Sequence, residues 1–123
     1  MSRIIENIRK LAKDNTDFRR EVLTNEHCQV VLMSIEPGAD IGEETHADVD
    51  QLLVIADGEA MAVLGGKRYK VEKGALISVP AGTKHNVLNT DDEPLKLYSI
   101  YSPPEMPAGT VHHTKADAIA AHA

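Results

Sequence analysis

From Glu21 onward the chain is a succession of strand-sized pieces, VLT, CQVVLMSIE, QLLVIADG, EAMAVLGG, KRYKVEKG, ALISVPAG, HNVLN and PLKLYSIY, each bounded by Gly, Pro, Asn or Asp. A run this short cannot carry the repeated turns of an amphipathic helix, and punctuation of this kind stops a strand. Many short strands at regular spacing, with no helices between them, predict an all-β sandwich or barrel. Gly65-Gly66, between AMAVL and KRYKV, predicts a hairpin, because paired glycines accept the positive φ angles of a two-residue turn.

The two ends read differently. Ile4, Ile8 and Leu11 recur at helical spacing with charged residues between them, and Ser2 is in place as an N-cap, predicting a short N-terminal helix over residues 3–13. The prolines at 103 and 104 close the last strand, leaving a barrel core over 20–102 and a tail over 103–123. In that tail Thr114, with Asp117 three places on, resembles a capping box ahead of ADAIAA, a helix too short to persist without docking. All of 1–123 reads as one domain.

A chain of 123 residues buries roughly two-thirds of its unfolded surface, enough for a true core. With 3% aromatic residues and no Trp, that core must be Val, Ile and Leu. The net charge of −6 offers no basic face to phosphates and argues against nucleic acid. No apolar run reaches the roughly 18 to 20 residues of a membrane span, and the first residues lack the apolar core of a signal peptide. The single cysteine, Cys28, reads as a buried strand residue; it excludes an intrachain disulfide and a cysteine zinc cluster, and points to a reducing cytoplasm.

The stretch EETHADVDQ carries the chemistry. Glu44 and His46, two apart, share a face of an extended chain, and a turn through Ala47 to Asp50 brings Gln51 back on the next strand. In VPAGTKHNVLN, Pro80 and Gly82 shape a turn that leads into His85, and imidazole is the commonest metal ligand.

These residues sit at the positions of both motifs of the cupins, which the chain resembles over about fifty residues. In the first motif Gly38 is followed by five residues, Glu44, Thr45, His46, four residues, Gln51, six residues and Gly58. The second is met in full by Gly74, Pro80, Gly82, His85 and Asn89, with fifteen residues between Gly58 and Gly74. The resemblance implies a double-stranded β-helix (jelly roll), a metal in the barrel mouth held by Glu44, His46, Gln51 and His85, and homodimerisation through edge strands. An uncovered edge strand favours a dimer independently.

Two departures define the site. Glu44 stands where the family usually has its first histidine, and Gln51 where it has a glutamate. Together they keep the ligand charge at −1, which favours a retained divalent metal. Two nitrogens and two oxygens suit Mn, Fe(II), Co, Ni or Zn better than Cu. Asp50 is the alternative to Gln51, Asp48 reads as a solvated loop carboxylate, and Glu43 should point away from Glu44.

Tyr98 and Tyr101, on the last strand, are the candidate catalytic residues, as phenols able to enter the pocket. One of His112 and His113 is placed to line the mouth, while His27 and His122 read as surface residues. Asn89 is expected to anchor a turn. The functional expectation is a metal-dependent enzyme acting on a small oxygenated or sugar-like molecule, of isomerase or lyase type. Its rivals are an Fe or Ni dioxygenase and a non-catalytic metal-containing module that binds a small molecule.

Overall fold

A computed structural model describes residues 5–121. Its elements, in chain order, are α1 (Ile8–Asp14), β1 (Arg19–Thr24), β2 (Gln29–Ile35), β3 (Asp50–Asp57), β4 (Glu59–Leu64), β5 (Lys67–Glu72), β6 (Leu76–Val79), β7 (His85–Asn89), β8 (Leu95–Ser102), β9 (Val111–His112) and α2 (Lys115–Ala121). The strands form two antiparallel sheets, β6-β3-β8-β2-β1-β9 and β5-β4-β7. The second sheet is extended by the irregular segment before β3, which bridges β7 at Asp40–Leu88 and Glu44–His85. This is the jelly roll that the strand pattern and the motifs predict.

The register explains why the barrel has two unlike ends. Gln29, Tyr101, Gln51 and Val79 stand side by side across β2, β8, β3 and β6. The next inward row is Val31, Ser99, Leu53 and Ile77, followed by Met33, Leu97 and Ile55, and finally Ile35 and Leu95. Because alternate residues share a face, β2, β8 and β3 each run from polar at one end to apolar at the other. All of these residues are buried.

The hairpin at Gly65-Gly66 forms as expected, with φ of 54° and 84° in the turn between β4 and β5. Asn89 anchors a turn: its Oδ1 accepts from the Asp91 amide at 2.8 Å, and its Nδ2 donates to the carbonyls of Ile35 and Glu93, each at 2.9 Å.

The ends of the chain correct the expectation in two places. The first helix begins at Ile8, after the non-helical residues 5–7, and its N-cap is Asn7, whose side chain accepts from the Lys10 amide at 3.0 Å; residues 3 and 4 lie outside the described residues. Asn is a strong cap, and one placed there outweighs a periodic isoleucine further upstream; Ser2 lies outside the described residues. The barrel also does not stop at Ser102: β9, in the tail, pairs with β1 through Arg19–His112 and Arg20–Val111. A two-residue strand carries no periodicity to read.

Helix α1 covers the outer face of the six-stranded sheet, burying Ala12 against Leu32 and Ala56. Helix α2 starts as the Thr114 pattern predicts, with the Asp117 amide donating to Thr114 Oγ1 at 3.1 Å. It docks by burying Ala118 in the core cluster and by an ion pair between Lys115 and Asp40. No helix among the described residues is long and apolar enough to cross a membrane.

Candidate metal centre

Glu44 and His85 are pinned face to face by a reciprocal pair of backbone hydrogen bonds, each 2.9 Å. His46 is tied to the Pro80–Gly82 turn through its carbonyl, which accepts from the Gly82 amide at 2.8 Å. The turn residues of the second motif therefore position ligands of both motifs. One ligand atom from each of Glu44, His46 and His85 lies within 4.8 Å of the other two. Gln51 lies on the opposite sheet, buried to 2% exposure in the polar row beside Tyr101.

Each ligand candidate is oriented by a partner behind it. His85 Nδ1 sits 3.0 Å from the Thr83 carbonyl, which makes Nδ1 the protonated nitrogen and leaves the Nε2 lone pair free. Gln51 Nε2 donates to Ser99 Oγ at 3.2 Å, leaving its Oε1 for the site. His46 Nδ1 lies 3.1 Å from Glu105 Oε1, the carboxylate–histidine arrangement that fixes a ring and raises its basicity.

The donor set fits a cation. Gln51 Oε1, His85 Nε2 and His46 Nε2 are buried and have no hydrogen-bond partner. His46 Nε2 lies 2.9 Å from Glu44 Oε2, close enough for an ion pair but not aligned as a hydrogen bond. Buried polar atoms without partners are costly and uncommon, so the two imidazole lone pairs clustered with the Glu44 carboxylate call for a shared positive centre.

The cluster opens into a cavity of about 490 Å³, a size that suits a small-molecule ligand. Its walls include Glu44, His46, Tyr101, Glu105, Met106 and His112. Tyr101 packs edge-on against His46, with ring centroids 5.9 Å apart and planes at 89°. Burial pushes its phenol far above the ordinary value of 10, against the opposing pull of Arg19, so it stays protonated. Of the adjacent histidines, His112 lines the cavity, while His113 is mostly exposed and pairs with Asp17 at 2.6 Å.

Tyr98 does not reach the site, contrary to its reading as a catalytic residue. It lies three positions from Tyr101, hence on the opposite face of β8, and packs with Leu32 and Ala56 under α1. Other readings hold. Asp50 is exposed and accepts from the Ala81 amide at 2.8 Å, so it is no rival to Gln51. Asp48 is exposed, Glu43 points outward towards Lys84, and His27 is at the surface. His122 lies outside the described residues. Cys28 is half-buried just before β2, not inside it.

Three site residues escaped the sequence reading. Arg19, 6% exposed, reaches Glu44 Oε1 with one Nη at 3.4 Å. Glu105 arrives on the strap after β8. Gln29 holds that strap: its Oε1 accepts from the amides of Glu105 and Met106 at 3.0 and 3.1 Å, and its Nε2 donates to the Met106 carbonyl at 2.6 Å. All three lie outside the motifs, and only the inward parity of Arg19 and Gln29 could have marked them.

Jelly-roll topology and a histidine–carboxylate cluster at the barrel mouth define a cupin, and the cupin domain model matches residues 31–101. The chain belongs to the cupin family. It is 49% identical to YrkC of Bacillus subtilis over 95% of its own length and 66% of that protein's, and 39% identical to L612 of Acanthamoeba polyphaga mimivirus over 87% and 69%. It thus spans about two-thirds of the length of these relatives, just under that for YrkC. The crystal structure of BH2720 from Bacillus halodurans superposes with a TM-score of 0.94 at 46% identity, covering 95% of this chain and 93% of that one.

Proposed function

We propose that this cupin binds one divalent transition metal through Glu44, His46, Gln51 and His85, and acts with it on a small oxygenated molecule in isomerase- or lyase-type chemistry. The observation that carries the reading is the Glu44, His46 and His85 cluster, whose ligand atoms lie within 4.8 Å of one another beside a cavity large enough for a substrate, with His46 Nε2, His85 Nε2 and Gln51 Oε1 buried and without a hydrogen-bond partner. Mn, Fe(II), Co, Ni and Zn all suit two nitrogens and two oxygens. A divalent ion held there supplies a Lewis acid for a carbonyl or enediolate oxygen.

The protein's own groups divide the remaining work. Glu105 is the one carboxylate in the described cavity wall outside the ligand cluster; we assign it the proton transfer, with one oxygen steadying His46. Tyr101, kept protonated by its burial, serves as a hydrogen-bond donor and not as a base. The strap carrying Met106 and Pro107 shields the cavity from bulk water.

Metal-loaded protein incubated with small hydroxy-carbonyl compounds in D₂O tests the reading. Deuterium incorporated from solvent at the carbon next to the carbonyl, seen by NMR and lost in Glu105→Gln, is the expected result. A tightly held metal with no exchange on any compound would make the chain a non-catalytic binding module.

We also propose a cytoplasmic homodimer. Leu76, on the edge strand β6, is 63% exposed, and Leu52 on its neighbour β3 is 37% exposed. An apolar edge of this kind is stabilised by a second copy. Light scattering after gel filtration should give twice the monomer mass, and a monomer at micromolar concentration would exclude it.

A further inference from the structure

Arg19 is used by neither the fold nor the proposed reaction. It is the first residue of β1, and its side chain turns inward to the cavity wall. It lies against the Phe18 ring, 5.4 Å from guanidinium carbon to ring centroid, and among the described residues its carboxylate contact is the 3.4 Å approach to Glu44. That distance is longer than the roughly 2.7–2.9 Å of a charge-assisted hydrogen bond, and it engages a single Nη. The Nε is buried with no partner. A guanidinium removed from water is stable only when its fork of donors is matched.

Charge points the same way. The cavity wall holds one guanidinium and two carboxylates, Glu44 and Glu105. A divalent ion at the centre would leave this group at net +1, which one negative charge on a ligand would neutralise. If Arg19 served only to balance Glu44, a loaded centre would have no need of it.

We infer that Arg19 is the carboxylate anchor of this cavity, and that the ligand is a small monocarboxylic acid carrying a second oxygen function. The carboxylate seats on the Arg19 fork, the other oxygen faces the Glu44, His46 and His85 cluster, and Met106 and Pro107 cover the carbon skeleton. This inference rests on the functional reading above for its second oxygen, but its carboxylate arm stands on Arg19 alone.

The probes are hydroxy monocarboxylates, lactate and 3-hydroxybutyrate, each paired with its neutral primary amide. They are titrated by calorimetry into wild type, Arg19→Lys and Arg19→Met, with Mn²⁺ and without metal. In wild type the acid should bind roughly 10- to 100-fold tighter than the amide. The Arg19 Nε–H resonance should shift with the acid and not with the amide. Arg19→Met should abolish the preference and Arg19→Lys retain a fraction of it, whatever the Mn²⁺ affinity of each variant.

Wild type that binds acid and amide alike, or Arg19→Met that keeps the full preference, overturns the inference. Should Arg19→Met fail to fold, Arg19→Lys together with the wild-type Nε–H shift decides it. Should Mn²⁺ not bind to wild type, the metal reading fails. The acid-over-amide preference and the Nε–H shift in metal-free protein then decide the role of Arg19 separately.

Discussion

The closed end and the mouth of this barrel are built on the same strands and obey opposite rules. At the closed end Ile35, Leu95, Leu97 and Ile55 fill the space, and the polar intruder, Asn89, has its bonds met by the protein itself. At the mouth Gln51, His46, His85 and Arg19 each keep a buried atom without a hydrogen-bond partner. Two glutamines flanking Tyr101 in one row make the contrast sharp. Gln29 fills its bonds by holding the strap and donating to Thr24 Oγ1 at 2.8 Å, and so is structural; Gln51 spends only its amide group, on Ser99. Burial alone does not mark a functional residue. Burial with an unanswered lone pair does.

If the ends do separate stability from binding, substitutions should separate them too. Leu53→Ala, which opens a cavity in the aliphatic rows, should cost about 2–5 kcal/mol in denaturant unfolding of the metal-free protein, with metal affinity little changed in the fraction that stays folded. Glu44→Ala should do the reverse. By calorimetric titration, metal affinity should fall by more than the roughly 100-fold that loss of an outer-shell partner can cost, while unfolding of the metal-free protein registers only the lost 3.4 Å contact with Arg19.

Smaller effects test finer parts of the comparison. Glu105→Gln, which weakens the group behind His46, should lower metal affinity by roughly 10- to 100-fold. Gln51→Glu should alter the affinity without abolishing it, because an oxygen donor is kept while the ligand charge changes.

The smallest effect belongs to Asp40, remote from the ligands. Hydrogen bonds from Lys115, then Asn86, hold its carboxyl below the ordinary 3.8. A depressed folded value gives stability that is present above about pH 3.8 and lost as pH falls through the lower folded value. Asp40→Asn should therefore be less stable than wild type near neutrality, by under about 1 kcal/mol for a partly exposed pair. The gap should close in acid unfolding curves.

The legibility of the molecule follows the same division. The run of short strands, the Gly65-Gly66 hairpin and the clustering of Glu44, His46 and His85 were readable because alternation and turn chemistry are local, and because the motif glycines and proline fix where those residues fall. The parity that would have moved Tyr98 off the site was also present, three residues from Tyr101, but it becomes decisive only once one of the two is known to face inward. Arg19 and Glu105 come to the site from β1 and from the strap beyond β8, joined by contacts no local pattern encodes. The cap at Asn7 that starts α1 was not read, because the hydrophobic period drew the start upstream of it.

The central claim is that Glu44, His46, Gln51 and His85 hold a single divalent cation at the mouth of the barrel. Elemental analysis of wild type and Glu44→Ala, both purified without added metal and then titrated with Mn²⁺, tests it most directly. The account predicts close to one transition-metal ion per wild-type chain and a large loss in the variant. Equal metal content and equal affinity in the two proteins, or no binding by either, would contradict it.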